Sequence, residues 1–217
     1  FFRNKDVWTL IKEKLPVSIS LGLWTFLLSY LISIPLGVAK AVREGTRFDT
    51  LTTLLVLVGF AIPGFVLGVL LIVLFAGGSF LDWFPLRGLT SDNWTSLGWP
   101  ARITDYLWHM VLPLTCYAIG SFAIVTMLTK NTFVEEIRKQ YVLVARAKGL
   151  PERRILYKHV FRNALIPIVT GFPSAFIGAV FTGALLIETL FSLDGLGLLS
   201  YESIIRRDYP VVLGSLY

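Results

Sequence analysis

The sequence predicts an all-α polytopic membrane protein, with four full spans and the start of a fifth. Three observations carry that expectation. Four apolar stretches reach the roughly 20 residues that a helix needs to cross the hydrocarbon of a bilayer. Only 16% of residues are charged, with a mean hydropathy of +0.70, against about 25% charged in a soluble domain. Lys and Arg also concentrate in alternate loops between the apolar stretches.

The elements follow in order. Residues 7–15 alternate apolar Val7, Leu10, Ile11 and Leu15 with Lys5, Lys12, Glu13 and Lys14, the pattern of an interfacial helix. Spans are expected over about 16–39, 51–76, 107–128 and 166–191, with another beginning at Pro210. Only helices and closed barrels satisfy their backbone groups in lipid, so these runs read as helices. The loop after the first span carries Lys40, Arg43 and Arg47. The loop after the third carries Lys130, Arg138, Lys139, Arg146, Lys148, Arg153, Arg154, Lys158 and Arg162. Loop 77–106 has only Arg87 and Arg102, and segment 192–209 only Arg206 and Arg207. The positive-inside rule therefore places the first two loops in the cytoplasm and the other two outside. The stub with Arg3, Lys5, Lys12 and Lys14 runs against that bias. Aromatic residues in the outer loop (Trp83, Phe84, Trp94, Trp99, Tyr106, Trp108) suit a membrane–water boundary.

Pro35, Pro63, Pro113, Pro167 and Pro173 interrupt or border the apolar runs. Such breakers are tolerated where neighbouring helices or an aqueous path satisfy the freed backbone groups. The spacing of Gly64 and Gly68 suits close helix approach. The net charge of +6 needs no nucleic acid to explain it, because the basic residues flank apolar spans and face anionic lipid. Cys116, the single cysteine, excludes a disulfide within the chain. His109 and His159 lie too far apart in this topology to share a metal, and neither supports catalysis. The C-terminal PVVLGSLY is too short to cross a bilayer, and no signal peptide opens the chain. The sequence thus reads as an internal piece of a longer membrane protein.

Segment 130–165 is the informative loop. Phe133, Val134, Ile137, Tyr141, Val144 and Lys148 recur at helical spacing, and Gly149 suits a left-handed helix C-cap. Pro151 and Glu152 suit the first turn of a second helix. Its apolar side is Ile155, Leu156, Val160 and Phe161, set against Arg153, Arg154, Lys158 and Arg162. Two short amphipathic helices around a Gly-Leu-Pro corner make a knob, which could dock a partner or rest on anionic lipid.

The run Ala145-Arg146-Ala147-Lys148-Gly149-Leu150, then His159, Arg162-Asn163-Ala164 and Pro167, resembles the cytoplasmic loop of ATP-binding-cassette importer permeases of the dipeptide/oligopeptide branch. Counted from Gly149, the family's Glu-Ala-Ala triplet falls on Leu143, Val144 and Ala145, keeping only the last Ala. Its Ile-x-Leu-Pro element falls on His159, Val160, Phe161 and Arg162. Both departures are typical of the peptide branch. Leu15-Pro16-Val17-Ser18 resembles the family's transmembrane start. Ile187-Glu188 through Phe191, Gly195-Leu196-Gly197 and Asp208-Tyr209-Pro210 resemble its last extracytoplasmic loop. From Leu10 onward, including 75–88 and Asp105 to His109, the likeness is to permeases of the microcin C/oligopeptide type.

The resemblance implies a type I importer permease core (MetI-like) in the bacterial inner membrane, transporting peptides or peptide-like compounds. It implies a second, related permease subunit (a heterodimer), two cytoplasmic ATPases that use ATP and Mg, and an extracytoplasmic solute-binding protein. No cofactor is expected on this chain, which lacks a G-x-x-x-x-G-K-[ST] phosphate loop. The ATPase-coupling loop would then comprise Tyr141, Ala145, Arg146, Ala147, Lys148, Gly149, Leu150, His159 and Asn163. Pro63, Gly64 and Glu188 are candidates for a translocation path or gate. Glu188 is the only acid in an expected span, and it fits either a structural role or a substrate contact. A secondary transporter or channel is the alternative, and it would need embedded charges that this chain hardly offers.

Overall fold

The computed structural model describes residues 5–78, 80–181 and 183–216, and every regular element among them is helical. The first helix, α1 (Val7–Val42), is continuous over 36 residues, about 54 Å at 1.5 Å per residue. The expected interfacial helix and first span are therefore one helix. It runs through Pro16 and Pro35 without a break.

Helix α2 (Arg47–Ala61) and helix α3 (Gly64–Phe75) divide the second apolar run. The break falls at Ile62–Pro63, where Pro63 is the extended N-cap of α3 (φ −56, ψ 134). Proline disfavours helical geometry in the residue before it, which is why α2 stops there. Helix α4 (Trp99–Ile137) contains Pro113, and helix α8 (Ile166–Phe181) contains Pro173. Between α4 and α8 lie α5 (Gln140–Ala147), α6 (Glu152–Arg154), a π-helical turn Ile155–Val160, and α7 (Phe161–Ala164). The chain closes with α9 (Leu185–Leu190), α10 (Leu196–Ile205) and α11 (Tyr209–Leu216). Among the described residues three stretches, Val7–Val42, Trp99–Ile137 and Ile166–Leu190, are long and apolar enough to cross a membrane. The α2–α3 pair is a fourth if taken as one broken span. The stretch expected over 166–191 is not one regular helix, because Ala184 is extended (φ −113, ψ 96) ahead of α9.

The helices form two compact units. Unit 1 (1–26, 62–118 and 177–217) is built on Leu21, Met110, Leu112, Cys116, Ile187, Phe191 and Leu193. Gly64 and Gly68 bring α3 close to its neighbours. A Cβ on Gly64 would lie 2.8 Å from the Cys116 carbonyl oxygen, and one on Gly68 would lie 2.6 Å from Leu190 Cδ2. In segment 77–98, the Trp83 and Phe84 N–H groups donate to Phe75 O, and Gly88 N–H to Phe191 O. Trp108 Nε1 donates to Trp83 O, and its ring stacks on Phe84 at 4.5 Å.

Unit 2 (27–61 and 119–176) is built on Val38, Ala41, Phe133, Val142, Ala145, Ile155, Val160 and Ala164. The α5–α7 hairpin thus shares one core with the end of α1 and the end of α4.

Candidate functional site

The hairpin starts where α4 ends. Arg138 and Lys139 break the helix, and Lys139 (φ −69, ψ 151) becomes the N-cap of α5. That break resets the helical phase. The expected face ran from Phe133 through Tyr141 to Val144, but in α5 the buried residues are Val142 and Ala145. Val144 is 52% exposed and Leu143 56%. Both point outward because α5 does not continue the turn of α4.

The corner is a Schellman-type C-cap. Leu150 N–H donates to Ala145 O at 3.2 Å, Gly149 N–H to Arg146 O at 2.9 Å, and Gly149 has φ +75. Only glycine takes that conformation without cost from a Cβ. No atom lies within 4 Å of a Cβ built on Gly149, so the position is conformationally demanding and sterically open. Pro151 is the extended N-cap of the second helix rather than part of its first turn. Arg146 reaches across the corner to Glu152 (Nε–Oε1 2.6 Å, Nη2–Oε2 3.1 Å), and its guanidinium holds the Glu152 carboxyl below its ordinary value. Both side chains are well exposed, so this pair orders the corner more than it stabilises the fold.

Among the other predicted residues, Tyr141 and Asn163 meet. The Tyr141 hydroxyl donates to Glu136 Oε1 at 2.8 Å and accepts from Asn163 Nδ2 at 3.4 Å. Glu136 also pairs with Lys139 at 2.5 Å. Burial alone would raise the Glu136 carboxyl, but hydrogen bonds from Lys139, Tyr141 and Asn163 outweigh it and hold it low. Glu136 is only 6% exposed, a burial unusual for an acidic side chain and satisfied by these partners. Its contact with Tyr141, five residues on, crosses the break at Lys139, so helical periodicity does not reveal it. Removing the hydroxyl with Tyr141→Phe deletes about 1 kcal/mol of hydrogen bonding. Amide exchange across 140–147 should then rise about fivefold, measured by mass spectrometry. His159 lies half-buried in the π-helical turn, Lys148 caps α5, and Ala147 is exposed.

A second polar cluster lies in the same unit. Lys40 is fully buried, and its Nζ pairs with Asp49 Oδ1 at 3.1 Å. It also donates to Thr52 Oγ1 and Thr53 Oγ1, each at 2.7 Å. Lys130 of α4 pairs with Asp49 Oδ2 at 2.7 Å. Asp49 precedes the apolar part of its helix. Burial would raise its carboxyl, but Lys130, the Gly45 N–H and Lys40 together lower it to about 2. Arg138 Nη2 donates to both carboxylate oxygens of Glu44 (2.9 and 2.8 Å), tying the same α1–α2 turn to the end of α4. One carboxylate therefore joins α1, α2 and α4 next to the hairpin core.

The third set lies in unit 1. Pro63 and Gly64 form the break and the close contact described above. Glu188 is completely buried, and its carboxylate accepts from Ser18 Oγ (3.2 Å), Tyr117 Oη (3.0 Å) and Leu198 N–H (3.0 Å). Its partners come from α1, α4 and α10, and the sequence offered no sign of them.

The chain belongs to the family of binding-protein-dependent transport system inner membrane components, which matches residues 33–217. It is 59% identical over 217 residues to the peptidoglycan transport system permease protein YejB of Agrobacterium fabrum, covering all of this chain and 60% of that protein. It is also 59% identical over 216 residues to the inner membrane ABC transporter permease protein YejB of Escherichia coli O157:H7, covering 100% of this chain and 59% of the relative. The dipeptide transport system permease protein DppB of Bacillus subtilis is 35% identical over 98% of this chain and 63% of its own length. The chain thus spans about 60% of the length of these relatives. A chain from inward-facing crystals of the MetNI methionine ABC transporter superposes with a TM-score of 0.66 at 16% identity, covering 96% of this chain and 89% of that one. That likeness establishes the MetI-like fold.

Proposed function

We propose that the chain is the membrane core of a permease subunit that imports peptides or peptide-like compounds. In this reading ATP is hydrolysed by separate subunits, and hairpin 140–164 receives their movement. One observation carries it: the hairpin is anchored by a core shared with α1 and α4 while its tip stays open. Val142, Ala145, Ile155 and Val160 are buried inside, whereas Leu143, Val144 and Tyr157 stand more than half exposed beside Arg146, Arg153, Arg154 and Lys158. A lipid-resting helix needs only an apolar face and a basic rim. A hairpin locked to the ends of two long helices can also pass on a push, because packed cores shift between discrete arrangements rather than deform continuously.

The relatives named for dipeptide and peptidoglycan transport support a peptide-like substrate, with microcin C-type compounds as the finer assignment. A second related permease completes the path, two ATPases using ATP and Mg dock on the hairpins from the cytoplasm, and a solute-binding protein delivers substrate from outside. The concentration of Lys and Arg in 130–165 supports that orientation.

The test is affinity purification of the full-length permease in mild detergent, with identification of bound proteins and a substrate-stimulated ATPase assay. Co-purifying ATPase subunits, lost with Gly149→Val, are the expected result. A permease that purifies alone and transports on an ion gradient would overturn the proposal.

A further inference from the structure

The hydrogen bonds around Glu188 all run in one direction. Leu196 N–H donates to Ser18 Oγ at 2.8 Å, which leaves the Ser18 hydroxyl proton for Glu188 Oε1. Ala184 N–H donates to Tyr117 Oη at 2.9 Å, which leaves the phenol proton for the same oxygen. Leu198 N–H donates directly to Oε2. Three donor chains end on one buried acceptor, and no Lys or Arg pairs with it among the described residues. Two of those chains begin at N–H groups in the first turn of α10. The first N–H groups of any helix lack partners within it and favour a negative charge.

The N-cap of α10 is Gly195, which has no side chain to satisfy them. The space such a side chain would use is occupied. A Cβ on Gly195 would lie 2.5 Å from Glu188 Oε2, and one on Gly197 would lie 2.9 Å from Glu188 Cδ. On the other side, a Cβ on Gly183 would lie 2.7 Å from Oε1. Gly195 itself sits in extended backbone (φ −105, ψ −169) that any residue can adopt. It is small because of the carboxylate and the Ser18 hydroxyl, which would lie 2.6 Å from the same Cβ, rather than because of its own backbone.

We infer that Glu188 is a latch that caps α10 in trans, tying both Ala184 and the start of α10 to α1 and α4. Of the two roles open to this buried acid, structural support and substrate contact, the geometry gives it the structural one. The inference rests on the geometry of unit 1 and stands apart from the identity of the substrate.

The test is hydrogen exchange by mass spectrometry on the full-length permease in nanodiscs, with peptides covering 183–190, 196–205 and 140–164. Glu188→Ala is expected to raise exchange at 196–205 at least about tenfold and to leave 140–164 unchanged. Ser18→Ala and Tyr117→Phe should raise exchange at 196–205 and 183–190 respectively, each by less, and each should add less to Glu188→Ala than to the parent. Ser18→Thr keeps the hydroxyl and should match the parent.

The decisive pair is at position 195. Gly195→Ser alone should disturb α10, because its Cβ collides with the Glu188 carboxylate and the Ser18 hydroxyl. In the Ser18→Ala/Glu188→Ala double variant, which removes both groups that the Cβ meets, the same serine enters the vacated space and caps α10 in cis, restoring protection at 196–205 but not at 183–190. Unchanged exchange in Glu188→Ala, or a rise spread evenly over the chain, overturns the latch. So does a Gly195→Ser effect of the same sign in both backgrounds. Where Glu188→Ala does not accumulate, Ser18→Ala and Tyr117→Phe decide the question by the same local criterion.

Discussion

Replacing Gly149 with valine is expected to cut uptake roughly 5–30-fold, while the permease still reaches the membrane in normal amount. The corner alone sets that range. Gly149 has φ +75, where a Cβ costs about 1–2 kcal/mol, and that cost converts to a 5–30-fold loss of the native corner. A β-branched residue sits at the upper end of that range. Since no atom surrounds the site, no steric penalty adds to it within the chain. Asparagine visits the left-handed region readily, so Gly149→Asn should keep most of the uptake. If both variants lose uptake equally, the loss comes from a partner that needs the space. If both retain it, the hairpin is not the coupling element. Uptake of a labelled peptide, normalised to permease in the membrane fraction, measures all three outcomes.

Asp49→Asn is expected to cost about 3 kcal/mol, because it leaves one buried and one nearly buried lysine without their counter-charge. Lys40 keeps only the Asp49 carbonyl and the hydroxyls of Thr52 and Thr53. The effect has a pH signature. The Asp49 carboxyl titrates near 2 when folded, against an ordinary 3.8, so its contribution is fully present above about pH 4. It is lost as pH falls through 3.8 towards 2. Thermal unfolding of the purified parent should therefore lose stability in that window, and Asp49→Asn should lose less. Identical slopes in the two proteins would show that the two lysines do not depend on the carboxylate. Lys130→Gln is the milder control, since Lys40 then retains Asp49 to itself.

The helical nature of the chain was legible because hydropathy over 20-residue windows is a local property. Gly149 was legible for the same reason: a glycine followed by Leu-Pro after a short periodic run has few other uses. What stayed hidden depends on neighbours distant in sequence. Lys130 meets Asp49 across 81 residues, and Ser18 meets Glu188 across 170. Val144 went to the wrong face because periodicity was carried through the Arg138–Lys139 break, where Lys139 leaves helical geometry. The continuity of α1 past Pro16 was equally hidden. A proline near a helix start fits a first turn as well as a later one, and the choice rests on packing that spacing does not encode.

The π-helical turn at Ile155–Val160 bears on how relatives are aligned. Each hydrogen-bonded ring there encloses one residue more than an α-helical ring, as in the Phe161 N–H bond to Leu156 O. The turn therefore consumes sequence without the usual advance around the axis. Beyond Ile155, distance in residues from Gly149 ceases to report which side of the helix a residue occupies. A relative with a regular helix here would need one residue fewer to set its counterparts of Val160 and Asn163 on the same faces. A single-residue gap in this stretch would then mark a conserved shape, and a gapless match would mark an altered one.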